Sequence, residues 1–226
     1  MKIPLILINF KSYAESTGKN GLKLSKICQD FSKKYKINIA VAPTFADLYP
    51  IAKKVNIEVF SQHIDPVDAG QFTGHTTCFS VKEAGAVGTL INHSEKKLTF
   101  EDIGKCVGLT KNYGLISVCF ASTPEEALRI ADFNPDFIAI EPPELIASGM
   151  SVSTARPEVV TQSVSLIKKS NPKIKLLCGA GITTGKDVKK AIGLGTAGVV
   201  VSSGVVKANN PRKVLAEFAE SIKQSP

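Results

Sequence analysis

Three side chains able to exchange protons stand where apolar runs end. Lys11 follows Leu5-Ile6-Leu7-Ile8-Asn9, His93 follows Leu90-Ile91-Asn92, and Glu141 closes Phe137-Ile138-Ala139-Ile140. Apolar, β-branched runs bury their side chains, so a polar group at the end of one is costly unless it opens into a pocket. A lysine, a histidine and a glutamate converging on one face form an acid–base set. Glu141 is followed by Pro142-Pro143, which fixes the backbone, and then by the small residues Ala147-Ser148-Gly149. That combination reads as a general base on a rigid support with a loop behind it that can close. A carboxylate there can also cap a following helix, and a strand-end lysine can be a solvated charge. Taken one at a time, the segments leave both alternatives open.

The elements that carry these residues repeat along the chain. Strand-like runs are expected at Leu5–Asn9, Ile37–Ala42, Ile57–Ser61, Val87–Asn92, Leu115–Phe120, Phe137–Glu141, Ile174–Cys178 and Gly198–Ser202. They are nearly continuous in apolar character instead of alternating, as parallel strands covered on both faces are. Helical segments lie between them. Thr123 is a suitable N-cap, Pro124 suits the first helical position and Glu126 completes a capping box, while Asn210-Pro211 opens the last helix. Eight strand–helix units in 226 residues predict one (β/α)8 barrel domain over residues 1–226. A doubly wound open sheet usually has a dinucleotide fingerprint after its first strand, where this chain has Asn9-Phe10-Lys11. The formal G-x-G-x-x-G at 193–198 leads into a strand instead of following one, so it is a false match.

In such a barrel the chemistry sits where strands end at the carboxyl face. Strand one delivers Asn9 and Lys11, strand four Asn92 and His93, and strand six Glu141. Strand seven ends in Gly179-Ala180-Gly181 and strand eight in Ser202-Ser203-Gly204. The small-residue turns, ahead of a helix beginning near Thr183, form an anion cradle of backbone N–H groups. Ser94-Glu95 look like the start of a helical turn under His93, which keeps its imidazole neutral. His63 and His75 read as loop residues, and Cys119 as packing with no base beside it.

Composition bounds the alternatives. Hydrophobic residues make up 43% and charged residues 21%, ordinary values for a globular protein. No apolar run approaches the roughly 20 residues that cross a bilayer, and the start of the chain does not read as a signal peptide, so no membrane partner is expected. Five scattered cysteines without a Cys-x-x-Cys pair read as reduced thiols in a cytoplasmic protein, with no structural metal expected. The net charge of +8 is spread over pairs such as Lys33-Lys34, Lys96-Lys97 and Lys189-Lys190, without interleaved aromatics. It favours small anions over nucleic acid.

Together, Asn9-Phe10-Lys11, Asn92-His93-Ser94-Glu95, Ile140-Glu141-Pro142-Pro143 and Cys178-Gly179-Ala180-Gly181-Ile182 resemble the triosephosphate isomerase family, particularly its shorter archaeal form. The match runs from the first strand to the last in the family's order. It implies a TIM barrel that interconverts dihydroxyacetone phosphate and glyceraldehyde 3-phosphate through an enediolate, in glycolysis and gluconeogenesis, without metal or cofactor. Glu141 would move the proton between carbons, neutral His93 would polarise the carbonyl, and Lys11 would stabilise negative charge with Asn9 orienting the substrate. Backbone N–H groups near Ile146, Gly181, Ser202 and Ser203 would hold the phosphate, and the loop from Ile146 to Thr154 would close over it.

Three positions depart from the commoner family pattern. Phe10 stands in place of tryptophan, Ala147 in place of a lid glycine, and His75 where bacterial and eukaryotic relatives carry glutamate. The resemblance also implies a homodimer or homotetramer, with Thr73 reaching a neighbouring subunit's site. Two other readings compete: a different phosphosugar barrel, such as an aldolase or an isomerase of amino-acid biosynthesis, and a basic anion- or nucleic-acid-binding barrel. A Schiff-base aldolase would want a lysine where Glu141 ends strand six.

Overall fold

The computed structural model describes residues 1–142, 145 and 151–224. Eight parallel strands form one sheet: β1 (Leu5–Asn9), β2 (Asn38–Ala42), β3 (Phe60–Ser61), β4 (Gly88–Ile91), β5 (Ile116–Ala121), β6 (Phe137–Ile140), β7 (Lys175–Cys178) and β8 (Gly198–Val201). Their order is β2-β1-β8-β7-β6-β5-β4-β3. The two ends of that order meet through a parallel bridge between Val41 and Val59, which nearly closes the barrel. The connecting helices include α1 (Lys19–Tyr35), α2 (Phe45–Ala52), α3 (Cys78–Glu83), α4 (Phe100–Tyr113) and α5 (Pro124–Ala131). After β6 come α6 (Val152–Ala155), α7 (Pro157–Ser170), α8 (Gly185–Gly193), α9 (Ser203–Val206) and α10 (Pro211–Lys223). None of the helices among the described residues is long and apolar enough to cross a membrane.

Strand side chains alternate between two cores, as the period of two requires. Leu5, Leu7, Phe137, Ala139, Leu177 and Val200 fill the barrel. Ile6, Ile8, Ile138, Ile140, Val199 and Val201 pack outward against the helices. Both sets are nearly inaccessible to solvent, so the runs are largely apolar on both faces. All five cysteines are buried and unpaired, and burial pushes the Cys119 thiol well above its ordinary value, which suits packing.

Two sequence expectations are corrected. The third strand is far shorter than Ile57–Ser61, because β4 pairs in register with it only at Phe60 and Ser61 and β2 meets the chain before it through a single bridge at Val59. Thr123 does cap α5 by accepting from the Glu126 N–H at 3.1 Å. Glu126 completes no capping box, because its Oε2 accepts instead from the Ser122 N–H at 2.6 Å.

Candidate active site

The inward rows of the barrel continue past the strand ends. Leu5 and Leu7 lead to Asn9, Phe137 and Ala139 to Glu141, and Val200 to Ser202, so the site is the layer above the packed interior. Asn9, Lys11, His93 and Glu141 line one pocket, together with Gly179, Gly181, Ser202 and Ser203. The described strand-end residues singled out from the sequence for chemistry are therefore gathered there, except Asn92 and Gly204. The Ile146 donor and the Ala147 position lie outside the described residues.

Lys11 sits in a left-handed conformation, φ 48°, with its N–H donating to Asn9 Oδ1 at 3.0 Å. Asn9 thus shapes the backbone that delivers the lysine. The Lys11 carbonyl accepts from Gln62 Nε2 at 3.0 Å, and its Nζ lies 2.7 Å from Glu95 Oε1. Glu95 does more than balance that charge, because its N–H donates to His93 Nδ1 at 3.1 Å. An Nδ1 that accepts a hydrogen bond carries no proton, which leaves the proton of the neutral ring on Nε2.

His93 Nε2 lies 3.3 Å from Glu141 Oε2, and both side chains are buried. Ser94 Oγ donates to the same Glu141 oxygen at 3.3 Å. Burial first, and the Lys11 cation second, push the imidazole down to about 4. Burial pushes the Glu141 carboxyl up to about 7, against the pull of Lys11 and Ser94. The imidazole is thus kept neutral, while the carboxyl beside it is poised to take up or release a proton near neutral pH.

The turn expected at Ser94-Glu95 is present but does not continue into a helix whose N-terminus lies under His93. A single turn follows it, closed by the Lys96 N–H on the His93 carbonyl at 2.8 Å, and α4 begins only at Phe100. The ring owes its neutrality to burial, Lys11 and the Glu95 amide instead. Ser94 and Glu95 are functional neighbours that sequence reasoning left unassigned. Their place directly after His93 was the available signal.

Glycine suits two positions on the facing side. A Cβ at Gly179 would lie 3.1 Å from the Ile140 carbonyl oxygen and 3.3 Å from Glu141 Cβ, so its absence lets β7 end against the carboxylate. Gly181, at φ 68°, makes the turn that a side chain would oppose. Across from it, Ser202 Oγ is buried with no hydrogen-bond partner among the described residues. A buried hydroxyl left unpaired in a pocket is able to bond a polar ligand atom. His63 pairs with Asp65 at 3.1 Å in the loop after β3, and His75 lies on that loop's exposed tip, as expected of both.

Fold and site together define a (β/α)8-barrel enzyme built for general acid–base chemistry on a small substrate. The triosephosphate isomerase family model matches residues 4–223, and the chain belongs to that family, whose reaction is an aldose–ketose isomerisation. It is 49% identical to the triosephosphate isomerase of Methanothermus fervidus over 96% of this chain and 98% of that one. It is 46% identical to the Methanosarcina barkeri enzyme over 98% and 100%. The crystal structure of triosephosphate isomerase from Bartonella henselae superposes with a TM-score of 0.77 over 98% of this chain and 99% of that one. At 18% identity, that match speaks for the fold.

Proposed function

We propose that Glu141 is the base, neutral His93 the electrophile and Lys11 the cation of this isomerisation, with dihydroxyacetone phosphate and glyceraldehyde 3-phosphate as substrates. The observation that carries the reading is the 3.3 Å approach of the buried His93 and Glu141 in the pocket that also holds Lys11. The carboxylate takes the C1 proton of dihydroxyacetone phosphate as a C1–C2 double bond forms and charge moves onto the C2 oxygen. His93 Nε2–H and Lys11 stabilise that oxygen, and His93 passes a proton between the two oxygens. Glu141 returns its proton to C2 as the C1 oxygen becomes the aldehyde. The unpaired Ser202 hydroxyl, the Gly181 turn and the amides of Ser203 and its neighbour ahead of the first α9 hydrogen bond support a phosphate seat opposite. Ile146 is proposed as a further donor.

A coupled isomerase assay, with a phosphoglycolate-type analogue as competitor, tests the assignment. Because Glu141 must be ionised in the free enzyme, kcat/KM is expected to rise with pH through about 7. The substrate's own phosphate titrates roughly one unit lower. A kcat/KM flat between pH 6 and 8 would contradict the base assignment.

The chain is proposed to act as one barrel domain, in the cytoplasm, as a homodimer or homotetramer. Residues 68–75 are exposed, and Phe72 keeps 42% of its surface accessible, which supports docking of Thr73 and its neighbours into a second copy. Light scattering is expected to give at least a dimer. A stable, fully active monomer would exclude this arrangement.

A further inference from the structure

One carboxylate near the site has no part in the chemistry. Glu126 lies in the first turn of α5, outside the pocket, and its two oxygens collect three donors. Oε2 accepts from the Ser122 N–H at 2.6 Å, and Oε1 accepts from Asn92 Nδ2 and Lys97 Nζ, each at 3.2 Å. Although burial alone would raise it, the Ser122 amide and Lys97 hold this carboxyl below its ordinary value. It is a charged anchor, and Asn92 is the residue immediately before His93.

Asn92 is almost wholly buried and adopts φ 61°, a left-handed conformation that a residue with a Cβ takes up reluctantly. That conformation has a consequence for the alternation along β4. Leu90 points into the barrel and Ile91 out, so an extended Asn92 would point in and His93 out. The left-handed turn reverses this. His93 enters the interior, its ring edge-on to Phe120 at 4.8 Å between centroids.

The Asn92 amide holds the turn from three directions. Nδ2 donates to the Phe120 carbonyl at 2.9 Å as well as to Glu126, and Oδ1 accepts from the Leu98 N–H at 3.0 Å. The bond to Leu98 closes the loop carrying Ser94, which reaches Glu141, and Glu95, which reaches both His93 Nδ1 and Lys11.

We propose that Asn92 and Glu126 are positioning residues for the isomerisation: Glu126 fixes the Asn92 amide, and Asn92 turns His93 into the pocket and holds its Nδ1 against the Glu95 amide. This rests on the reading of His93 as the electrophile.

Two variants of the full chain test it. Asn92→Gly keeps the left-handed backbone accessible without strain while deleting the amide. Glu126→Gln keeps the size of the side chain and removes its charge. In both, kcat is expected to fall about 10-fold or more, since small misplacements of catalytic groups cost up to about 100-fold, with KM changed by less than about 3-fold. Nitrogen NMR of the labelled imidazole should show His93, which faces Lys11, Glu95, Glu141 and Lys97, losing its fixed Nε2–H form and titrating at higher pH than in wild type. The double variant should lose no more than Asn92→Gly alone, because both changes act through one amide.

Wild-type turnover in Asn92→Gly would overturn the proposal. So would additive losses in the double variant, or lost turnover with an unmoved His93 tautomer. His93→Gln separates the two levels. A wild-type rate there sinks the electrophile assignment itself, whereas a collapse there beside an unaffected Asn92→Gly sinks only the positioning role.

Discussion

Glu141→Gln is expected to lower kcat by roughly 10³-fold or more, near the upper part of the range that general acid–base groups supply, while raising stability at alkaline pH. Glutamine has nearly the shape of glutamic acid but cannot accept the substrate proton, so the chemical step loses its base. The stability effect follows from burial. The carboxyl titrates near 7 in the folded protein against an ordinary value of 4.5. A group raised in this way favours the folded state fully below pH 4.5, and that contribution is lost as pH rises through about 7. Above that pH the native chain holds a buried carboxylate at a cost on the order of a few kcal/mol. A neutral amide removes the cost, so the melting temperature of the variant should exceed wild type at pH 8 and approach it at pH 5. Turnover within a few fold of wild type would refute Glu141 as base. Lost turnover with a lowered melting temperature at pH 8 would mean that the carboxylate is structural.

Lys11→Met is expected to reduce kcat/KM by roughly 10³-fold, or about 4 kcal/mol, a loss of the size seen when a preorganised donor to a developing oxyanion is removed. Methionine keeps the apolar stem and the Cβ, so the left-handed backbone at φ 48° stays as it is and the comparison isolates the ammonium. Little stability should be lost. Glu95, its partner at 2.7 Å, is 57% exposed and can be solvated when left alone. The acid limb of kcat/KM should also move upward, because the cation that opposes burial at Glu141 is gone. A variant with normal kcat/KM would reduce Lys11 to a surface charge, the bland reading of any lysine at a strand end.

Much of this was legible in the chain because the fold is a repetition of local units. Continuous apolar runs mark parallel strands wherever helices cover the outer face, and Ile6, Ile8 and Ile138 pack outward for that reason. Once the strands are placed, a barrel sends whatever follows each one to a common rim, so Asn9, Lys11, His93 and Glu141 could be expected to meet. The third strand is shorter than its run because its length is set by its neighbours: β4 pairs with it only at Phe60 and Ser61, β2 meets it through one bridge at Val59, and no property of residues 57–61 announces that. The spacing at Glu126 permits a local capping box, but in the folded chain the Ser122 N–H takes its Oε2 and Asn92, 34 residues earlier, takes its Oε1.

Which chemical groups the rim holds, and in what order, follows from the chain alone, since strand period and parallel topology are local properties that the side-chain pattern records. The state of those groups depends on the folded barrel. The proton on His93 is placed by the Glu95 amide, Lys11 is steered by a carboxylate 84 residues away, and the affinity of Glu141 for its proton is set by the barrel that buries it. Protonation and orientation depend on the dielectric and on hydrogen-bond partners gathered from separate strands, and those exist only once the barrel is nearly closed.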